Sequence, residues 1–71
     1  MAEEVRAHIT GVVFQIVAGA GSKVAAGDPI LILESMKMQN ELKAPRDGTI
    51  GRIRVKPGES VEQKQTLLSV V

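Results

Sequence analysis

One lysine of this 71-residue chain sits in a setting that invites chemistry: Lys37, flanked by Met36 and Met38 and preceded by Glu34 and Ser35. Lysine offers a primary amine on a flexible four-carbon stem, able to close a stable amide and to hold the attached group away from the protein surface. Such amines are protonated in water at neutral pH, so an acylating partner has to remove the proton. Met36 and Met38 are flexible thioethers, suited either to filling gaps in a core or to forming a surface that a modifying enzyme reads. Glu34 reads as a strand-end charge or a partner contact. Lys23, Lys43, Lys56 and Lys64 lack this setting and read as solvated charges.

Other chemistries find little support. The chain has one histidine, His8, no cysteine and no convergent carboxylates, which leaves no acid–base pair or metal set; a lone strand histidine is usually structural. Gly19-Ala20-Gly21-Ser22-Lys23 has the wrong order for a phosphate loop, where Gly-Lys precedes Ser or Thr and a helix follows. Nine basic and eight acidic side chains are interspersed and Phe14 is the only aromatic, so neither a basic face nor a base-stacking platform for nucleic acid is expected. No apolar run reaches membrane-spanning length, and Met1-Ala2-Glu3-Glu4 does not resemble a signal peptide. Lack of cysteine fits a reducing compartment, and a cytoplasmic location with no membrane partner is the expectation.

Seventy-one residues are expected to form one domain, near the lower size limit for a single core. At roughly 1.5 kcal/mol per ordered residue the entropic cost is on the order of 100 kcal/mol, so nearly every apolar side chain has to be buried. Val5-Arg6-Ala7-His8-Ile9 alternates as a half-buried strand does, with Thr10-Gly11 as its punctuation. Residues 12–17 read as a second strand, closed by Gly19-Ala20-Gly21; residues 22–26 read as a short strand and turn before Gly27-Asp28-Pro29. Residues 30–34 form a continuous apolar run, the pattern of a strand buried on both faces, and residues 38–43 a weaker, polar strand, followed by a turn over residues 44–48.

The sequence then repeats. A shift of 37 places Gly11 on Gly48, Val13 on Ile50, Ile16 on Ile53, Gly21 on Gly58, Val24 on Val61, Ile30 on Leu67, Leu31 on Leu68 and Leu33 on Val70, without a gap over 23 positions. Val13 and Ile16, like Ile50 and Ile53, lie three apart, which predicts a bend or bulge at the same place in both halves, where Gly51 fits. Neither half can bury a core alone, so the two close on one another as a sandwich or flattened barrel with a pseudo-two-fold axis. Lys37 has no counterpart under the shift, and its hairpin corresponds to the chain ends, at the opposite pole. Met-Lys is also a poor turn pair, since tight hairpins favour Asn-Gly or Asp-Gly. A broken local rule of this kind is a mark of a functional site.

Met36-Lys37-Met38 between two β-rich halves resembles the biotinyl domain of biotin carboxyl carrier proteins, within the biotinyl/lipoyl carrier family. The supporting residues are Gly11-Val12-Val13, the Gly21-to-Gly27 stretch around Val24, Ile30-Leu31-Ile32-Leu33-Glu34, Ala44-Pro45 and Asp47-Gly48, so the similarity covers essentially all of residues 1–71. It implies an all-β flattened barrel, a barrel-sandwich hybrid of two four-stranded antiparallel sheets. It also implies biotin joined to Lys37 on an exposed turn by a biotin protein ligase that reads Met36 and Met38. In the family a biotin carboxylase loads a carboxyl group onto biotin and a carboxyltransferase delivers it to an acceptor; the carrier is not itself an enzyme. The chain departs from the usual pattern at Ser35, where alanine is frequent, and at Ala7-His8-Ile9, where Ala-Pro-Met is frequent. It has no insertion for the protruding segment of some bacterial carriers.

Two other readings share these residues. A lipoyl carrier, with lipoate on the same lysine for acyl transfer in a 2-oxo acid dehydrogenase complex, more typically has Asp-Lys followed by a small residue. An unmodified structural β-barrel would make Lys37 dispensable.

Overall fold

A computed structural model describes residues 2–71. Every regular element in it is a strand: β1 (Glu3–Arg6), β2 (Gly11–Ile16), β3 (Lys23–Val24), β4 (Pro29–Ser35), β5 (Met38–Lys43), β6 (Gly48–Ile53), β7 (Ser60–Val61) and β8 (Thr66–Val70). They form two four-stranded antiparallel sheets, ordered β1-β8-β6-β3 and β5-β4-β2-β7. The flattened barrel-sandwich is thus the architecture, in a body 32 × 17 × 17 Å.

The 37-residue repeat is a structural two-fold. Adding 37 turns β2 into β6 and β3 into β7 residue for residue, and carries β1 into the second part of β5 and the start of β4 onto β8. Hydrogen bonds between the halves follow the same operation. Gly21 N–H donates to the Ile50 carbonyl at 2.8 Å, and its equivalent Gly58 N–H to the Val13 carbonyl at 2.7 Å. Gly27 N–H donates to the Ala44 carbonyl at 2.9 Å, and Lys64 N–H to the Ala7 carbonyl at 2.8 Å. Each half therefore satisfies the loop backbone of the other, as buried or turning peptide groups require.

The expected bend is a β-bulge in both halves. Register slips between Val13 and Gln15 against β4, and between Ile50 and Ile53 against β8. Phe14 and Gln15 together oppose Ile32, while Gly51 and Arg52 together oppose Ser69, the two-against-one arrangement of a bulge.

Between the sheets lies one apolar core, to which both halves contribute matched pairs: Val13 with Ile50, Leu31 with Leu68, Leu33 with Val70, Val5 with Leu42 and Ala7 with Ala44. Burying each of the larger side chains contributes about 1.5–3 kcal/mol, which is how so short a chain offsets its ordering cost. Arg46 ties the chain ends to this body, its Nη2 donating to the Val70 carbonyl at 2.9 Å.

Three local expectations need correction. The first strand is Glu3–Arg6, not residues 5–9: Val5 and Ala7 do face the core, but pairing with β8 slips after Val5. Ala7 continues through single bonds, its N–H donating to the Gln65 carbonyl at 2.9 Å. Gly11 opens β2 instead of closing the strand before it. Finally, β4 is covered on one face only. Ile30, Leu31 and Leu33 are buried, Ile32 is half-buried and Glu34 exposed; two consecutive residues turn inward because the pairing with β5 slips between Pro29 and Leu31.

Candidate functional site

β4 and β5 pair from Pro29↔Lys43 to Ser35↔Met38, leaving Met36 and Lys37 as a two-residue hairpin turn. Both turn residues have positive φ, 52° for Met36 and 66° for Lys37, the signs of a type I′ turn. This geometry matches the right-handed twist of the flanking strands, but for side chains other than Gly or Asn it costs about 1–2 kcal/mol per residue. The turn therefore lies where the motif places it, on a residue pair that strains it.

Lys37 is exposed at the tip. Met36 is 91% exposed and Met38 65% exposed, so neither fills a gap in the core, and two thioethers flank the amine in solvent. Glu34 is exposed and pairs with Gln39 on one side and Val12 on the other. Ser35 is half-buried where β4 ends. The five motif residues thus divide into an accessible tip, Met36 to Met38, and a strand end, Glu34 and Ser35, that anchors it to the sheet. Asn40 helps hold the start of β5, its Nδ2 lying 3.5 Å from the Met38 carbonyl.

That anchoring depends on a residue whose role the motif does not announce. A Cβ on Gly11 would lie 2.5 Å from the Glu34 carbonyl oxygen and 3.3 Å from the Ser35 Cβ. Only glycine lets β2 approach the base of the hairpin this closely. The coincidence of Gly11 with Gly48 in the repeat is the signal that marks it. A Cβ on Gly48 would in turn lie 2.7 Å from the carbonyl oxygen of Val71, the equivalent of Glu34.

The two-fold carries the hairpin onto the chain ends, where Glu3 pairs with Val70. From there the register runs through Ala7 and Gln65 to Gly11↔Val61 and Val12↔Glu34, so the tip and the chain ends lie at opposite poles of the long axis. His8 and Lys23, Lys43, Lys56 and Lys64 are all exposed; His8 and Lys64 belong to the loops at the hairpin's end of the body, where Lys64 N–H donates to the Ala7 carbonyl. The arrangement is a mast: a rigid two-sheet body, a strained turn and one free amine at its end. It can present an attached group to another protein.

A family model described as "Biotin-requiring enzyme" matches residues 1–70. A biotinylated protein TB7.3 homolog of Mycobacterium leprae (strain TN) is 35% identical over 71 residues, 100% of this chain and 99% of that protein. The biotin carboxyl carrier protein of acetyl-CoA carboxylase of Solanum lycopersicum is 38% identical over 56 residues, 79% of this chain and 80% of that protein. A pyruvate carboxylase of Bacillus subtilis (strain 168) is 39% identical over 66 residues, 93% of this chain but only 6% of that enzyme. Among solved structures, the Kluyveromyces lactis urea carboxylase superposes with a TM-score of 0.95 at 32% identity, over 100% of this chain and 6% of that one. The chain therefore spans a small fraction of the carboxylases it matches and nearly the whole of the small biotinylated protein. With the family model covering residues 1–70, the two-sheet architecture and the Met-Lys-Met hairpin, the chain belongs to the biotinyl/lipoyl attachment family of biotin-requiring enzymes, as a non-catalytic biotin carrier domain.

Proposed function

We propose that Lys37 is the attachment lysine, that a biotin protein ligase modifies it, and that the modified hairpin serves a biotin carboxylase and a carboxyltransferase in turn. The observation that carries this reading is the placement of Lys37, exposed, at the tip of a two-residue turn with left-handed backbone.

The residues fit the group. Amide formation needs a primary amine that a second protein can surround, and the exposed tip offers Lys37 with no wall of the barrel around it. Nζ would lose a proton to the ligase and attack the carboxyl carbon of biotin, which the ligase holds as an acyl phosphate ester made with ATP; the amide C–N bond forms as the acyl C–O bond to that phosphate breaks and the phosphate ester leaves. Met36 and Met38 would give the ligase two apolar contacts flanking the amine, and β4 and β5 would hold them at fixed spacing. When attached, biotin accepts a carboxyl group at one active site and gives it up at another. The domain contributes position: tethering replaces a diffusing cofactor by one at high effective concentration beside each site.

The test is a half-reaction. The biotinylated chain, supplied to a biotin carboxylase subunit with ATP and bicarbonate, should drive ADP release, and Lys37→Arg, which keeps the charge but cannot be biotinylated in its place, should not. Equal ADP release with both chains would overturn the reading. Expression beside both a biotin ligase and a lipoate ligase should yield the biotin adduct; a lipoyl adduct alone would favour the acyl-transfer alternative.

A further inference from the structure

The internal two-fold supplies a control for the surface. Positions related by a shift of 37 have the same backbone and the same relation to the core, so packing demands the same of both. On the inner faces the residues match in character. On the outer faces they do not.

The outer face of the β5-β4-β2-β7 sheet carries Val12, Phe14 and Ile32, with Gln15, Glu34 and Glu41 around them; the register sets Val12 beside Glu34 and sets Ile32 between Gln15 and Glu41. The equivalent positions on the other sheet hold Thr49 for Val12, Gly51 for Phe14 and Ser69 for Ile32, and just beyond the strand Arg54 stands for Val17. Val12 is 38% exposed, Phe14 47% and Val17 43%. Two reverse exchanges occur, Val71 for Glu34 and Ala2 for Gln39. Since the second half folds with threonine, glycine and serine at these positions, the fold does not require apolar residues there. Contiguous exposed apolar surface of this kind marks an interaction site.

The charges indicate what covers it. Glu34 and Glu41 make no ion pair or side-chain hydrogen bond among the described residues, whereas Glu4, the equivalent of Glu41, is paired with Arg6 at 2.9 Å. A second copy of this face would add two more carboxylates around the apolar centre, with one cation, Lys43, at the end of β5 away from the hairpin. A surface that is apolar at its centre and basic at its rim would complement it. The patch is also continuous with the Lys37 hairpin, since Glu34 lies in the strand that ends in the turn and Val12 pairs with Glu34.

We infer that the outer face of the β5-β4-β2-β7 sheet is the docking surface for the biotin carboxylase that receives Lys37, and that this enzyme presents an apolar patch rimmed by arginine or lysine. This rests on the carrier function proposed above and adds the face by which the carrier is held.

The experiment is the biotin carboxylase half-reaction with the biotinylated chain as varied substrate. The triple variant Val12→Thr, Phe14→Ser, Ile32→Ser takes two of its residues from the other half of the repeat. It should raise the KM for the chain about tenfold or more while kcat stays within twofold and biotinylation by the ligase is unchanged. Glu41→Lys, a single exposed change that leaves the core intact, should raise KM several-fold and reduce its dependence on salt. Arg52→Gln, on the opposite sheet, should alter neither. A KM within twofold of the parent for both the triple variant and Glu41→Lys would overturn the inference, as would a biotinylation rate that falls with them, which would assign the face to the ligase. Sedimentation of a dimer that the triple variant abolishes would assign it to a second copy and likewise overturn it. If the parent chain supports no ADP release, the carrier reading itself fails, a result separable from loss confined to these variants.

Discussion

The Glu34 carbonyl oxygen stands 2.5 Å from where Gly11 would carry a Cβ, so the strand that presents the lysine hairpin is in contact with the backbone of a glycine. Gly48 stands in the same relation to the Val71 carbonyl oxygen, at 2.7 Å. One is at the pole of the Lys37 hairpin, the other at the pole of the chain ends.

Gly11→Ala and Gly48→Ala should therefore each destabilise the fold by about 1–3 kcal/mol, the usual cost of forcing atoms into a packed contact. Only Gly11→Ala should also slow biotinylation, because it displaces Glu34 and Ser35 at the base of the hairpin. Urea unfolding and a ligase time course on the two variants separate these effects; equal slowing by both would deny a specific role to the contact.

Lys64 occupies the position of Gly27 in the repeat and shares its left-handed backbone, with φ of 75° against 90°. Lys64→Gly should remove that strain and stabilise the domain by about 1 kcal/mol, and Gly27→Lys should cost a similar amount. Denaturant midpoints at constant m-value measure both.

The hairpin carries backbone strain at both turn residues. Replacing Met36 and Lys37 together by Asn and Gly, the pair suited to a type I′ turn, should raise stability by about 2 kcal/mol while eliminating attachment. A less stable double variant would show that the turn is held by contacts other than its own backbone preference.

Met36 and Met38 lie outside the core, so Met36→Ala and Met38→Ala should each change stability by less than about 0.5 kcal/mol. Their effect should appear in the ligase reaction as a higher KM for the chain. Unchanged ligase kinetics in both would remove the thioethers from the recognition surface.

Much of this was legible in the sequence because burial and turn geometry leave marks that survive duplication. Val13 with Ile50, Leu31 with Leu68 and Gly11 with Gly48 disclosed the two halves, and the three-residue spacing from Val13 to Ile16 disclosed the bulge. What escaped depends on neighbours distant in sequence. Ala7 keeps the period of a strand yet lies beyond the ladder, since the register of β1 against β8 slips two residues earlier. Ile32 looks like a core residue within an apolar run, and only the pairing with Gln15 and Glu41 sets it on the outer face. The exposure of Met36 and Met38 follows from a turn at Met36-Lys37, a position that turn propensity alone argues against.

The most direct test is an intact mass with peptide mapping after expression beside a biotin protein ligase. One biotinyl group is predicted, on the peptide bearing Lys37, and none on the Lys37→Ala chain. A biotinyl group on Lys23, Lys43, Lys56 or Lys64, or an unmodified Lys37 in a folded chain with active ligase, would contradict the account.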